Sequence, residues 1–197
     1  QKQAVQTVEG PVLLLAVPGS GKTTVLVTRL GYMIHCKGID PRRILTVTYT
    51  VAATKDMAAR FAAKFGPELA EQLEFRTING ICAKVLQYYG YRTGKTPHQL
   101  LNDEKRIAGI LAEIYQRVER VYPTDGDLKN IRTLITYIKN MMLNEDEIGA
   151  LDEEAECKIS VIYREYCSKL KELQMIDYDD QMVYAYVMLK KIPWLLE

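Results

Sequence analysis

The chain of 197 residues is 48% hydrophobic and 26% charged, with a formal net charge of +1, a composition that gives a globular protein a sizeable core. No apolar run approaches the ~20 residues of a membrane span and no basic-apolar-small leader opens the chain, so a cytoplasmic protein with no membrane partner is expected. Cys36, Cys82, Cys157 and Cys167 form neither a C-x-x-C pair nor a dense framework, and they read as small buried hydrophobes rather than metal ligands or disulfides.

The net charge hides an asymmetry. Residues 1–100 carry 13 Lys+Arg against 6 Asp+Glu, whereas residues 101–197 carry 13 against 19. A basic first half suits a polyanionic partner such as nucleic acid, although a solvated surface whose charges segregate would count the same way.

The chain opens at Gln1 without an initiator Met, as expected of a trimmed sequence. Residues 12–17 form an apolar run expected to be a buried strand. A glycine turn follows, then a helix over 24–37 with Leu26, Leu30, Met33 and Ile34 on one face and Gly38 closing it. Strand, glycine turn and a helix opening with Gly21-Lys22-Thr23 make a phosphate cradle, because backbone N–H groups and the helix dipole converge there. Ala16 stands where the strict G-x-x-x-x-G-K-[ST] pattern has its first Gly, and Ala is small enough for the turn. The nucleotide-binding candidates are Ala16, Val17, Pro18, Gly19, Ser20, Gly21, Lys22, Thr23 and Thr24. Lys22 is the catalytic candidate, reaching terminal phosphate oxygens, and the Thr23 hydroxyl is the candidate Mg²⁺ ligand.

Residues 44–50 read as a buried parallel strand. Met57, Phe61 and Phe65 then fall at helical spacing, with Thr50 near the helix start and Gly66-Pro67 ending it. A third strand is expected over 74–78, then a helix through Ile81, Val85 and Leu86. Such alternation builds a doubly wound parallel sheet, left incomplete by three strands.

Strand signals then cease. Residues 102–173 are helical in pattern, through Ile107, Leu111 and Ile114, then Ile131, Ile135 and Ile138, then Ile159, Ile162, Tyr166 and Leu170. Residues 145–156 hold seven acids in twelve positions, a solvated loop and helix start rather than a metal site. Asp177-Tyr178-Asp179-Asp180 is preceded by only Met175-Ile176, too short a run to feed a Mg²⁺-gripping acid, and Asp177 fits as a helix N-cap before Met182, Tyr186 and Leu189.

These spacings together resemble the N-terminal part of superfamily-one DNA helicases of the UvrD/Rep/PcrA type, over nearly the whole chain. Residues 1–5 look like the second half of the Q motif, which implies that Gln1 reads adenine. Ala16 to Thr23 matches helicase motif I, where Ala at the first position is common. Thr48-Tyr49-Thr50 resembles motif Ia, with Tyr49 for Phe and Val51 for Asn. Thr77-Ile78-Asn79-Gly80 resembles motif Ib, with Asn79 and Gly80 for His and Ser. Asp177 to Asp180 resembles the D-F-x-[DE] element that returns the chain to the sheet.

The resemblance implies an α/β fold: an incomplete P-loop, RecA-like parallel sheet with flanking helices, plus an inserted all-helical subdomain. It implies a first motor part over 1–90, a helical insertion over 91–173 and a return helix over 174–197. It also implies ATP and Mg as cofactors, DNA contacts at Thr48, Tyr49, Thr50, Thr77 and Asn79, and single-stranded DNA and single/double-strand junctions as partners. A second RecA-like domain of the same protein would complete the cleft. Basic Arg42, Arg43 and Lys55 would add phosphate contacts. The expected function is ATP-dependent translocation on single-stranded DNA with strand separation. These 197 residues are expected to be a piece of the motor, inactive alone because no run matches the acids of motif II. The alternatives are a P-loop phosphotransferase acting on a small molecule, and a weakly active motor-like DNA-binding subunit of a helicase-nuclease complex.

Overall fold

The computed structural model describes residues 1–17 and 19–196. It is a mixed α/β chain, mostly helical, that divides into two units, Gln1–Ile81 and Cys82–Glu197. Pro18, assigned above to the nucleotide loop, lies outside the described residues.

In the first unit, α1 (Lys2–Gln6) precedes α2 (Lys22–His35), and a 3₁₀ turn (Pro41–Arg43) leads into β1 (Leu45–Thr48). Next come α3 (Val51–Phe65), the short α4 (Pro67–Ala70) and β2 (Glu74–Thr77). β1 and β2 pair in parallel from Leu45↔Glu74 to Thr48↔Thr77, which brings both strand C-termini to one edge. The core is Val27, Leu30, Ile44, Met57, Phe61 and Leu73, and the Phe61 ring lies 4.9 Å from Phe65 and 6.3 Å from Phe75. Burying each such apolar side chain contributes about 1.5–3 kcal/mol.

Three expectations need correction here. Residues 12–17 carry no strand, and Leu13 and Leu15 are each 83% exposed. A buried strand needs hydrogen-bonded neighbours and covered faces, and among the described residues β1 and β2 pair only with each other. β1 is parallel as expected but not buried: its residues alternate outward and inward, with Leu45 51% and Val47 46% exposed. In α2 the buried face runs through Val27 and Leu30, while Leu26 points outward.

Gly31 shows how tightly α2 packs. A Cβ there would lie 2.1 Å from Phe65 Cζ, and Phe65 is held between His35 and Phe61. Gly31→Ala therefore overpacks the core, and the expected loss is about 1–3 kcal/mol in denaturant unfolding.

In the second unit, α5 (Ile78–Thr93), which begins in the first unit, leads to β3 (Gln99–Leu100), α6 (Glu104–Glu119), α7 (Asp125–Met141), α8 (Glu145–Glu154) and α9 (Ile159–Glu172). β4 (Met175–Ile176), α10 (Tyr178–Lys191) and a 3₁₀ turn (Pro193–Leu195) follow. The expected apolar stripes form the core: Ile107, Leu111 and Ile114 meet Ile131, Ile135 and Ile138 and are closed by Ile159, Ile162, Tyr166 and Leu170. The acidic run is the exposed start and body of α8, capped by Asn144 in a reciprocal bond pair with Glu147.

Strand structure does not end at the first unit. β3 and β4 pair in parallel, Gln99↔Met175 and Leu100↔Ile176, a two-residue ladder too short to leave a periodic signal. All four cysteines are free as expected, but Cys36 is exposed and the others are only half-buried. No helix among the described residues is long and apolar enough to cross a membrane.

Candidate nucleotide and nucleic-acid site

The glycine turn sits at the N-terminus of α2. Gly19 (φ 78°) and Gly21 (φ 82°) adopt left-handed backbone, which L side chains disfavour and which lets the chain curl. Gly21 is the N-cap and supplies no side-chain cap, so the first-turn N–H groups of α2 lack the acceptor that a Ser or Asp cap would provide. Lys22 Nζ folds back and donates to the carbonyls of Ala16 at 3.2 Å and Val17 at 3.1 Å. Ser20 Oγ donates to the Val17 carbonyl at 2.6 Å. Cation and carbonyls thus line a turn whose neighbouring N–H groups favour an anion. Thr23 is half-buried on the first helical turn, and Thr24 is exposed beside it.

Gln1 is drawn to the same turn. Its Nε2 donates to the Ser20 carbonyl at 3.2 Å. Behind it, Arg29 of α2 donates to the carbonyl of Ala4 at 2.6 Å and to that of Thr7, fastening α1 to α2. A cavity of about 290 Å³ opens between these helices, lined by Gln1, Val5, Thr24, Thr28 and Tyr32. Arg29 carried no motif signal, since a guanidinium bonded to backbone carbonyls depends on how α1 folds.

The nucleic-acid candidates gather at the C-terminal edge of the β1-β2 sheet, where Thr48 and Thr77 are register partners. Their hydroxyls are spent within the fold: Thr48 Oγ1 donates to the Thr50 carbonyl at 3.0 Å and lies 2.5 Å from Thr54 Oγ1. Thr50 Oγ1 accepts from Ala53 N at 3.1 Å as the cap of α3, and Thr77 Oγ1 accepts from Gly80 N at 3.0 Å. The Asn79 carboxamide oxygen is buried. Tyr49 is the outward group, 90% exposed, so it does not close the core beneath α3. Lys55 is exposed on α3, but Arg42 and Arg43 precede β1. These two arginines therefore flank the N-terminal end of β1, opposite the end that Tyr49 follows.

The second unit brings Asp177 and Asp180 together as a helix cap. Asp177 Oδ1 accepts from Asp180 N at 2.8 Å, the N-cap read from the sequence, and Asp180 Oδ2 accepts in return from Asp177 N at 3.4 Å. Lys139, which was not anticipated, is buried against them, 2.7 Å from Asp177 and 2.8 Å from Asp180. Its signal was present: Ile131, Ile135 and Lys139 share one helix face at i, i+4 and i+8. Burial by itself would lower the Lys139 pKa, and the two carboxylates more than offset this, holding it above the usual lysine range.

The whole chain, residues 1–197, matches the family described as UvrD/REP helicase N-terminal domain. It is 29% identical over 203 residues to ATP-dependent DNA helicase PcrA of Bacillus subtilis and 31% identical over 201 residues to the putative ATP-dependent DNA helicase YjcD of the same organism, covering all of this chain and 26% of each relative. PcrA of Leuconostoc citreum is 28% identical over 194 residues, 98% of this chain and 26% of that protein. The chain spans about a quarter of the length of these curated relatives. A lysine-bearing glycine turn, a glutamine tied to it and a threonine-capped parallel edge beyond it therefore sit within one matched region, and the chain belongs to the UvrD/REP helicase N-terminal domain family.

Proposed function

We propose that this chain is the ATP-binding N-terminal portion of a motor that translocates on single-stranded DNA and separates strands, including at single/double-strand junctions. The observation that carries this reading is the bond from Gln1 to Ser20, since it ties the residue expected to read adenine to the loop expected to hold phosphate. The first motor part and its return helix belong to a P-loop, RecA-like sheet, and residues 91–173 are its helical insertion. A second RecA-like domain would close the cleft.

The residues at the turn fit a nucleoside triphosphate with Mg²⁺. The uncapped N–H groups of α2 suit phosphate oxygens, and the Lys22 ammonium, now on two carbonyls, has an anion as its better partner. Gly19, Gly21 and Lys22 would cradle the phosphates by their N–H groups, the Thr23 hydroxyl would hold Mg²⁺, and Thr24 and Gln1 would face the nucleoside. Bound ATP supplies a phosphoanhydride whose cleavage releases the free energy for movement. This chain's residues bind and orient it, while the family resemblance assigns the second metal ligand and the water-positioning acid to motif II, which no run of these residues matches. The 197 residues should bind MgATP without turning it over, and steady phosphate release by them alone would overturn this assignment.

DNA contact falls to Tyr49. An outward ring stacks on any base, as a motor passing every sequence requires, and such stacking is worth about 1–3 kcal/mol per base. Tyr49→Ala should weaken oligothymidylate binding by about that amount in fluorescence anisotropy, and Tyr49→Phe should be nearly silent. Because the side chain is exposed, neither change should move the melting temperature. Unaltered affinity in Tyr49→Ala would remove the residue from the DNA track.

A further inference from the structure

Two stretches of the second unit, residues 82–102 and 181–196, contain no acidic residue and five Lys or Arg, although residues 145–156 of the same unit carry seven acids in twelve positions. The fold lays these acid-free stretches against each other. Leu86 of α5 packs with Ile176 and with Ala185 of α10. Beyond them Tyr89 stacks on Trp194 at 6.1 Å with the planes 9° apart, while Tyr88 meets the same indole edge-on at 6.1 Å.

Cations are fixed on these rings. The Arg92 guanidinium lies 5.1 Å from the Trp194 centroid and 5.7 Å from that of Tyr88, and it donates to the Tyr88 hydroxyl at 2.8 Å. Lys95 Nζ stands 5.9 Å over Tyr89. Its position is set by backbone: Lys95 N donates to the Gly90 carbonyl at 3.1 Å, and a Cβ on Gly90 would come within 2.6 Å of the Lys95 carbonyl oxygen. Arg92 is exposed, and a guanidinium carries five N–H donors, so several remain for an anion. Tyr91, next in sequence, is 84% exposed. Alongside lies a cavity of about 190 Å³ walled by Leu86, Tyr89, Pro97, Tyr184 and Met188.

We infer that this face of the second unit is a single-stranded nucleic-acid contact of its own, with bases stacking on Tyr91 and Tyr88 and phosphates meeting Arg92 and Lys95. An acidic protein segment would use the cations and leave the rings idle. A nucleic-acid strand uses both, because it alternates flat bases with phosphates. The rings also hold Arg92 before any ligand arrives, so little side-chain freedom is lost on binding. None of these residues belongs to the glycine turn or to the Tyr49 edge.

Trp194 is the one tryptophan in the sequence, so its emission reports on this face. Titrating the chain with oligothymidylate should quench Trp194. Tyr91→Ala should weaken the quenching transition roughly 5- to 150-fold, the range expected when one stacked base loses its ring. Arg92→Glu with Lys95→Glu should flatten the dependence of log affinity on log salt by about 0.7 for each phosphate no longer neutralised. Tyr49→Ala, which lowers the affinity read by anisotropy, should leave the amplitude of Trp194 quenching at saturating oligothymidylate unchanged, which separates this surface from the Tyr49 edge. Circular dichroism of the Tyr91→Ala chain, whose side chain is exposed, controls for folding. Oligothymidylate binding that leaves Trp194 emission unchanged, or quenching indifferent to all three substitutions, overturns the inference. Equal quenching by polyglutamate at matched charge also overturns it, in favour of an acidic protein partner.

Discussion

Lys22→Ala should weaken MgATP binding to the 197-residue chain by roughly 10- to 150-fold, since hydrogen bonds to charged groups contribute about 1.5–3 kcal/mol. Lys22 donates to two carbonyls of its own loop, at 3.2 and 3.1 Å, and is exposed. Removing it therefore takes little from the folded state, and the melting temperature should stay within the roughly ±0.5 kcal/mol equivalent of an ordinary surface substitution. Titration calorimetry separates the two quantities. Undiminished affinity would mean that the turn is not the phosphate site, and lost affinity with a collapsed melting temperature would mean that the lysine holds the loop rather than the ligand. Gln1→Ala provides a graded comparison. It removes one bond to Ser20, and its effect should be smaller with ATP than that of Lys22→Ala and nearly absent with inorganic triphosphate, which offers no base.

Local chemistry was legible in the chain, and relations between distant segments were not. The glycine turn, the Thr50 cap and the Asp177 cap each rest on residues within a few positions of one another, and each appears where the spacing put it. The helical stripes of α6, α7 and α9 were readable for the same reason, because a 3.6-residue period declares its buried face. Residues 12–17 mislead because apolar content reports what a segment can bury, whereas burial needs a partner that composition does not name. The β3-β4 ladder joins positions 99–100 to 175–176, and Arg29 reaches back to Ala4 and Thr7. Neither follows from any window of sequence.

Lys139→Met should destabilise the second unit by about 3–5 kcal/mol, the cost of leaving buried carboxylates without their cation. Lys139 lies 2.7 Å from Asp177 and 2.8 Å from Asp180, with its side chain 3% exposed and theirs 10% and 15%. Tyr166, also buried, donates to Asp177 at 3.1 Å, and its ring lies 5.1 Å from the ammonium. Burial and the neighbouring Asp177 carboxylate push the Tyr166 phenol far up, so it remains a donor throughout the working range. For a chain of this size the expected fall in melting temperature is about 6–20 °C. Lys139→Met combined with Asp180→Asn should recover part of the loss, since one of the stranded charges is then gone, and thermal unfolding of the single and double variants measures the difference. The pH dependence has a defined sign. A lysine whose folded pKa is raised above its unfolded value of about 10.4 contributes stability that is fully present below that value and is lost as pH rises through the folded pKa. The wild-type chain should therefore lose this contribution only in strong alkali, and that alkaline component should be absent in Lys139→Met. Equal alkaline sensitivity in both proteins would assign the effect to other groups, and a Lys139→Met chain as stable as wild type would mean that the carboxylates are neutral or solvated and that the ammonium does not hold α7 to α10.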